Sequence, residues 1–173
     1  MKLSWMDEEM QALIPLLSVP QVVAVCLYGE ARSEPIEGIV AVANVIRNRV
    51  KADIHGDNKP DWWGEGYSDV VTRPWQFSMW HVNGGATNYK RVKAFAQHLA
   101  ERKEAVGIKA RQCIGVAHCI VGDYFADNVN GADHYHAVKV PEVNGKPLSR
   151  PFWALKRVPV KQVGGHVFYK LHA

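Results

Sequence analysis

Two helical segments joined by a corner of a few residues constrain this chain more than any other feature. Ser18 followed by Gln21 has the form of a capping box, and Pro20 falls in the first turn, where its missing N–H costs least. A helix is therefore expected from here to about Gly29. A second is expected after Ser33, with Pro35 in its first turn and Ile36, Ile39, Val40, Ala43, Ile46 and Val50 at helical spacing. So short a connection makes a tight corner, and a side chain at that corner is held rigidly.

Glu30 stands there. Val23, Leu27 and Glu30 are spaced i, i+4, i+7, so the carboxylate extends an apolar stripe at the C-terminal end of the first helix. Desolvation and the negative end of the helix dipole both disfavour its ionised form, which suits a general acid. A surface glutamate paired with Arg32 explains the same spacing, and spacing alone leaves both readings open. On the second helix Glu37, Asn44, Asn48 and Lys51 form a polar stripe, either a solvated face or one carrying a cleft-lining Asn pair.

From about Ala52 to Trp75 the chain is rich in Gly, Pro, Asp and Trp and reads as a long functional loop. Thr87 is expected to cap a third helix reaching about Val106, with Tyr89, Val92, Phe95, Ala96 and Leu99 inward and Lys90, Arg91, Lys93, Arg102 and Lys103 mostly outward. A fourth runs through about Val121, with Cys113, Ile114, Ala117 and Ile120 on one face. Val158 to Val163 and His166 to Leu171 are extended runs separated by Gly164-Gly165, the composition of a two-residue hairpin turn, and His134 to Val138 adds a third strand. The expected fold is α+β, mainly helical, with a small antiparallel sheet or hairpin near the C-terminus. One domain over residues 1–173 fits a length within the ~100 to 200 residues usual for one.

Apolar residues at 47% and charged residues at 22% argue against disorder and fibrous architectures. The apolar stretch from Ala12 to Tyr28 is broken by Pro15, Pro20 and Gln21 and preceded by Asp7, Glu8 and Glu9, which is no signal peptide. No window has the roughly 18 apolar residues of a spanning helix, so no stable membrane insertion is expected. Cys26, Cys113 and Cys119 are odd in number and lack zinc-knuckle spacing; they read as reduced, mostly buried thiols. A net charge of +4 and a pI near 9.0 favour a polyanionic partner: nucleic acid, an anionic membrane face or a carboxylate-rich wall.

Three chemistries compete. The first is glycosidic cleavage by Glu30, with Trp62, Trp63, Tyr67, Trp75, Phe77 and Trp80 as aromatic surfaces for sugar rings, although each alone is as easily core. The second is a zinc amidase or peptidase using His134 and His136, which share a strand face, with His81, His118 or His166 as a third ligand. No HExxH pair supports it. The third, nucleic-acid binding through the basic third helix, lacks any recognised signature, so no nucleic-acid partner is expected. A nucleophilic Ser or Cys site has less support, for there is no GxSxG elbow.

Several separated segments carry a family resemblance: Tyr28-Gly29-Glu30-Ala31-Arg32-Ser33-Glu34, Glu37-Gly38, and Ala41-Val42-Ala43-Asn44-Val45-Ile46-Arg47-Asn48-Arg49. Further on stand Gln76-Phe77-Ser78, Gly131-Ala132-Asp133-His134-Tyr135-His136-Ala137 and Gly165-His166-Val167-Phe168-Tyr169. Together, over roughly residues 22–170, they resemble the SleB-type cell-wall hydrolases, a family of spore-cortex lytic enzymes and phage endolysins. Ser33 departs from the Gly common after Arg in this motif, Trp75 precedes the Gln-Phe-Ser element where other residues often stand, and Val138 to Pro151 is longer than the usual connection.

The resemblance implies a lysozyme-like catalytic fold and cleavage of the MurNAc-GlcNAc bond of bacterial peptidoglycan, with Glu30 as the essential acid and no cofactor. A lytic transglycosylase with a single acid/base is expected; a hydrolytic muramidase and the His134/His136 amidase are the alternatives. Glu34, Glu37, Asp57, Asp61, Glu65 and Asp69 each qualify as a second carboxylate, none with a signal like that of Glu30. Arg32, Gln76, Phe77, Ser78, Tyr135, His136, Trp63 and Trp75 are the expected substrate-binding residues. A lone catalytic domain without an export signal matches an endolysin, expected to be monomeric and to wait in the host cytoplasm until released to the wall.

Overall fold

The computed structural model describes residues 6–53, 55–59, 61–82, 86–104, 107–138, 142–143, 146–147 and 150–172. Its helices are α1 (Glu8–Leu13), α2 (Val19–Ala31), α3 (Ile36–Lys51), α4 (Gly66–Thr72), α5 (Ala86–Ala100) and α6 (Ile108–Val121). The expected α+β, mainly helical fold is present. The capping box at the start of α2 forms: Gln21 Oε1 accepts from the Ser18 N–H at 2.8 Å.

α2 departs from the one-sided stripe expected of it. Val22 to Leu27 are all buried, because α3, α4, α5 and α6 pack around it. A helix apolar on every side belongs at the centre of a core, and each Val or Leu placed there contributes roughly 1.5–3 kcal/mol. Glu30 thus projects from the end of a helix enclosed by four others.

The polar stripe on α3 is solvated only at its ends, where Glu37 and Lys51 are exposed. Asn44, Arg47 and Arg49 are buried. Asn44 Nδ2 donates to Asn128 Oδ1 at 2.9 Å and Asn48 Nδ2 to the Ala132 carbonyl at 2.9 Å. Arg47 reaches Asp123 at 3.1 Å and the Phe125 carbonyl. These side chains supply donors to an irregular segment whose backbone has no ladder of its own, and so fasten it over α3.

Three other expectations are corrected. Residues 52–75 are not all loop: α4 lies within them with Val70 and Val71 buried, and Asp69 accepts from the Glu65 N–H at 2.8 Å while pairing with Arg73 at 2.7 Å. α5 ends at Ala100 rather than Val106 and starts at Ala86, ahead of the expected cap at Thr87. The unexpected α1 is capped by Asp7, which accepts from the Met10 N–H at 2.8 Å, and Glu8 and Glu9 occupy its first turn.

The strands are β1 (His134–Ala137), β2 (Glu142–Val143), β3 (Lys146–Pro147), β4 (Lys161–Val163) and β5 (His166–Tyr169). β1, β5 and β4 form an antiparallel sheet in that order, pairing Tyr135 with Phe168 and Val163 with His166, while β2 and β3 form a separate two-stranded pair. The longer connection expected over Val138 to Pro151 falls largely outside the described residues. Gly164, with φ +55°, makes the turn between β4 and β5. Glu34 Oε2 accepts from the Gly165 N–H at 2.6 Å, so the corner after α2 grips the hairpin and sets the sheet against the end of that helix. The three thiols are free, Cys26 and Cys113 being buried and Cys119 partly so.

Candidate active site

At the C-terminal end of α2 a cleft of about 500 Å³ opens between α3, the 75–78 segment, β1 and the turn at 151–153. Glu30, Arg49, Trp62, Trp63, Trp75, Gln76, Ser78, His134, Tyr135, Pro151 and Trp153 line it.

Glu30 is the only carboxylate among the described residues that line the cleft. Its Oε1 accepts from the Met79 N–H at 3.0 Å and from the Ser78 hydroxyl at 3.4 Å; its Oε2 accepts from the Tyr135 hydroxyl at 3.0 Å. Gly29 makes this possible, since a Cβ there would fall 2.5 Å from Cβ of Met79, whose backbone must approach α2 to reach the carboxylate. Burial raises the Glu30 pKa above the usual 4.5, and the three donors and the Arg49 charge offset only part of that rise. Tyr135 is pushed well above 10.0 by burial and by the Glu30 charge, so it remains a phenol that donates. A carboxyl group that holds its proton more tightly than usual, aimed into a cleft, can act as a general acid and afterwards, ionised, as a base.

Arg49, 6% exposed, is the second organising residue. Its Nε donates to the Asp133 carbonyl at 2.8 Å and its Nη1 to Gln76 Oε1 at 2.9 Å. With the Gln76 oxygen thus engaged, the amide nitrogen is left as a donor. The guanidinium also lies over the rings of Trp63 at 5.8 Å and Phe77 at 5.2 Å. Burial lowers the Arg49 pKa from its usual value, against which the carboxylates of Asp133 and Glu30 act to keep the charge.

Asp133 ties β1 to the chain end. It accepts from His134 Nδ1 at 2.8 Å, the Leu171 N–H at 2.9 Å and the His172 N–H at 2.9 Å. Burial works to raise its pKa, but the three donors outweigh it and the net result lies below 3.8. An ionised carboxylate only accepts, so Nδ1 of His134 carries the proton.

Six of the expected site residues, Glu30, Gln76, Ser78, Tyr135, Trp63 and Trp75, meet in the cleft; Arg32, Phe77 and His136 do not line it. Arg32 donates to the Tyr28 carbonyl at 3.1 Å and to Asn88 Oδ1, holding α5 to α2 rather than pairing with Glu30. Phe77 is buried beneath Arg49. His136 has both ring nitrogens engaged, Nδ1 with the Ala137 carbonyl at 2.8 Å and Nε2 with the Tyr169 hydroxyl at 3.1 Å. His134 and His136 do share a face, with the Trp153 ring 5.0 Å and 6.0 Å from them. No group of three potential ligands that could hold a metal ion occurs among the described residues.

Of the aromatic residues around the irregular segment, Trp63, Phe77 and Trp80 are core, and Tyr67 donates to the Ile120 carbonyl at 2.8 Å. Trp75 differs: it is 79% exposed and holds a positive φ of 67°, uncommon for a bulky residue. Its ring, 4.8 Å from His81, forms a flat apolar rim. Arg49 and Trp153 were missed as site residues. Arg49 had a legible signal, since Ile39, Ile46 and Arg49 share one face of α3 and the apolar stripe runs into a cation. Trp153 had none, because only folding brings residue 153 beside β1.

Residues 33–169 match the family described as cell wall hydrolase. The chain belongs to that family. The matched span opens just beyond Glu30, so the place of that residue in the site rests on the geometry above. Two solved structures share this cell wall hydrolase fold. The catalytic domain of the Bacillus cereus SleB protein is 22% identical, with a TM-score of 0.53 over 88% of this chain and 89% of that one. The catalytic domain of the germination-specific lytic transglycosylase SleB from Bacillus anthracis is 23% identical, with a TM-score of 0.51 over 88% of this chain and 93% of that one. No curated protein matches the chain.

Proposed function

We propose that this cell wall hydrolase cleaves the MurNAc-GlcNAc bond of peptidoglycan as a lytic transglycosylase, with Glu30 as its single acid and base. The observation that carries the reading is one carboxyl group, its pKa raised by burial, as the only carboxylate among the described cleft-lining residues. The other carboxylates considered are engaged elsewhere or stand outside the cleft, Glu34 on the hairpin turn and Asp69 on Arg73 among them. A two-carboxylate scheme needs a partner across the bond, and the described residues of the cleft lining offer none. The name of the Bacillus anthracis relative is in keeping with this reading.

Glu30 protonates the glycosidic oxygen, and the C1–O bond breaks as the substrate's own acetamido group shelters the oxocarbenium-like centre. The ionised Glu30 then takes the proton of the MurNAc 6-hydroxyl as that oxygen bonds to C1, giving a 1,6-anhydro end and restoring the acid. Ser78, the Met79 N–H and Tyr135 hold the carboxylate through both states. Trp75 offers a sugar ring a stacking surface.

The proposed setting is a monomeric, endolysin-like enzyme whose charge of +4 favours the carboxylate-bearing wall. Lysis of host cells that express the protein only once their inner membrane is permeabilised would support that setting. Mass spectrometry of muropeptides released from purified peptidoglycan tests the reaction. Anhydro-muramyl ends formed equally with and without EDTA are expected. Reducing MurNAc ends would make the enzyme a muramidase; free stem peptides whose release EDTA stops would replace the reading with a zinc amidase.

A further inference from the structure

A second surface adjoins the cleft and shares Trp153 with it. Residues 150–161 read Arg-Pro-Phe-Trp-Ala-Leu-Lys-Arg-Val-Pro-Val-Lys, which places Arg150, Lys156, Arg157 and Lys161 among apolar side chains with no carboxylate in the segment. A buried Ala154 pins a short turn at Phe152–Ala154, so its flanks face outward. Phe152 is 88% exposed, Leu155 60% and Val158 86%. Phe152, Leu155, Lys156 and Arg157, with Trp153 and Leu171, rim a shallow hollow of about 360 Å³. None of the four cations forms an ion pair with a described residue.

Burying an apolar chain needs a partner that covers it, and the unpaired cations say which kind. Leu155 and Val158 offer nothing to the hydroxyl-covered face of a sugar, which prefers a flat ring such as Trp75. They and Phe152 suit the boundary between lipid headgroups and acyl chains, while lysines and arginines beside them suit anionic headgroups. No helix among the described residues is long and apolar enough to cross a membrane, so attachment would be to the surface only.

We propose that the 150–161 face is a peripheral docking surface for bilayers rich in anionic phospholipid, which holds the cleft close to the membrane plane. The inference does not depend on which bond the cleft breaks.

Sedimentation of the whole protein with phosphatidylglycerol/phosphatidylcholine vesicles, against phosphatidylcholine alone, tests it. Binding to the anionic vesicles only, weakened by salt, is expected. Neutralising Lys156 and Arg157 together, K156Q/R157Q, should weaken binding roughly 30-fold, as two cations near an anionic surface would. L155S/V158S should weaken it on the order of tenfold or more through lost apolar insertion. Both variants should digest purified peptidoglycan at the wild-type rate, which also shows that they fold. K90Q/R91Q, which removes two exposed cations on α5, serves as the control for charge in general. Three results would overturn the proposal: no binding to anionic vesicles, an equal loss in the α5 control, or slower peptidoglycan digestion by the L155S/V158S variant, which would make this face part of the glycan cleft instead.

Discussion

Tyr135 donates its phenolic proton to Oε2 of Glu30 at 3.0 Å, joining β1 to the end of α2 across 105 residues of sequence. The bond stabilises the carboxylate form and so opposes the burial that raises the Glu30 pKa. Removing it with Tyr135→Phe should raise that pKa further. The acid then survives to higher pH, and the alkaline limb of the rate profile should shift upward while the maximal rate falls about tenfold as the carboxyl group loses its orientation. A profile measured on purified peptidoglycan checks both; an unmoved alkaline limb would show that the bond does not tune Glu30.

A group whose folded pKa is raised binds its proton more tightly in the folded state, so its contribution to stability falls as pH rises from the unfolded value, near 4.5, through the folded one. Glu30→Gln removes that penalty. The variant should melt at a higher temperature than wild type at pH 7, with the gain closing as pH drops below about 4.5. Calorimetry at several pH values reads this directly.

Asp133 has the opposite sign. Its folded pKa is depressed, so the stability it contributes is present above the unfolded value of 3.8 and is lost as pH falls through the folded one. Asp133→Asn should cost about 1–3 kcal/mol at pH 7, because the donors from His134, Leu171 and His172 lose a charged acceptor. The difference should vanish in acid, and the C-terminal segment should exchange its amide hydrogens faster.

Arg49→Lys keeps the charge but loses the fork that reaches both the Asp133 carbonyl and Gln76. With the charge retained, the pH profile set by Glu30 should barely move, while kcat/KM falls on the order of 10- to 100-fold as Gln76 is released. Arg49→Met removes the charge as well, and its alkaline limb should move upward. A common profile for the two variants would argue against an electrostatic part for Arg49.

How much of this was legible beforehand follows from what sequence can encode. The corner between α2 and α3 was readable because capping residues, Pro positions and helical spacing are local signals, whereas the apolar spacing that ends at Glu30 fits a surface glutamate as well, and only the motif resemblance singled that residue out. Motif resemblance, not spacing, pointed to Tyr135, Gln76 and Ser78. Local signals leave Asn44 and Asn48 between a solvated face and a cleft lining, because nothing local tells that residues 126–132 will cross α3 and take their hydrogen bonds. α4 was hidden in a stretch whose Gly and Trp content resembles a loop, although Val70 and Val71 bury there. Trp63 and Phe77 look alike as candidate platforms for sugar rings, and only their place around Arg49 shows that they support the cleft from beneath.

The central claim is that Glu30 is the acid. The rate of glycan-strand cleavage in purified peptidoglycan by Glu30→Gln, compared with wild type at the wild-type pH optimum and with melting curves for both, tests it most directly. The variant is expected to fold, to be at least as stable as wild type at pH 7, and to cleave about 10²- to 10⁴-fold or more slowly. A folded variant that keeps more than about a tenth of the wild-type rate would contradict it, since loss of an essential general acid leaves far less.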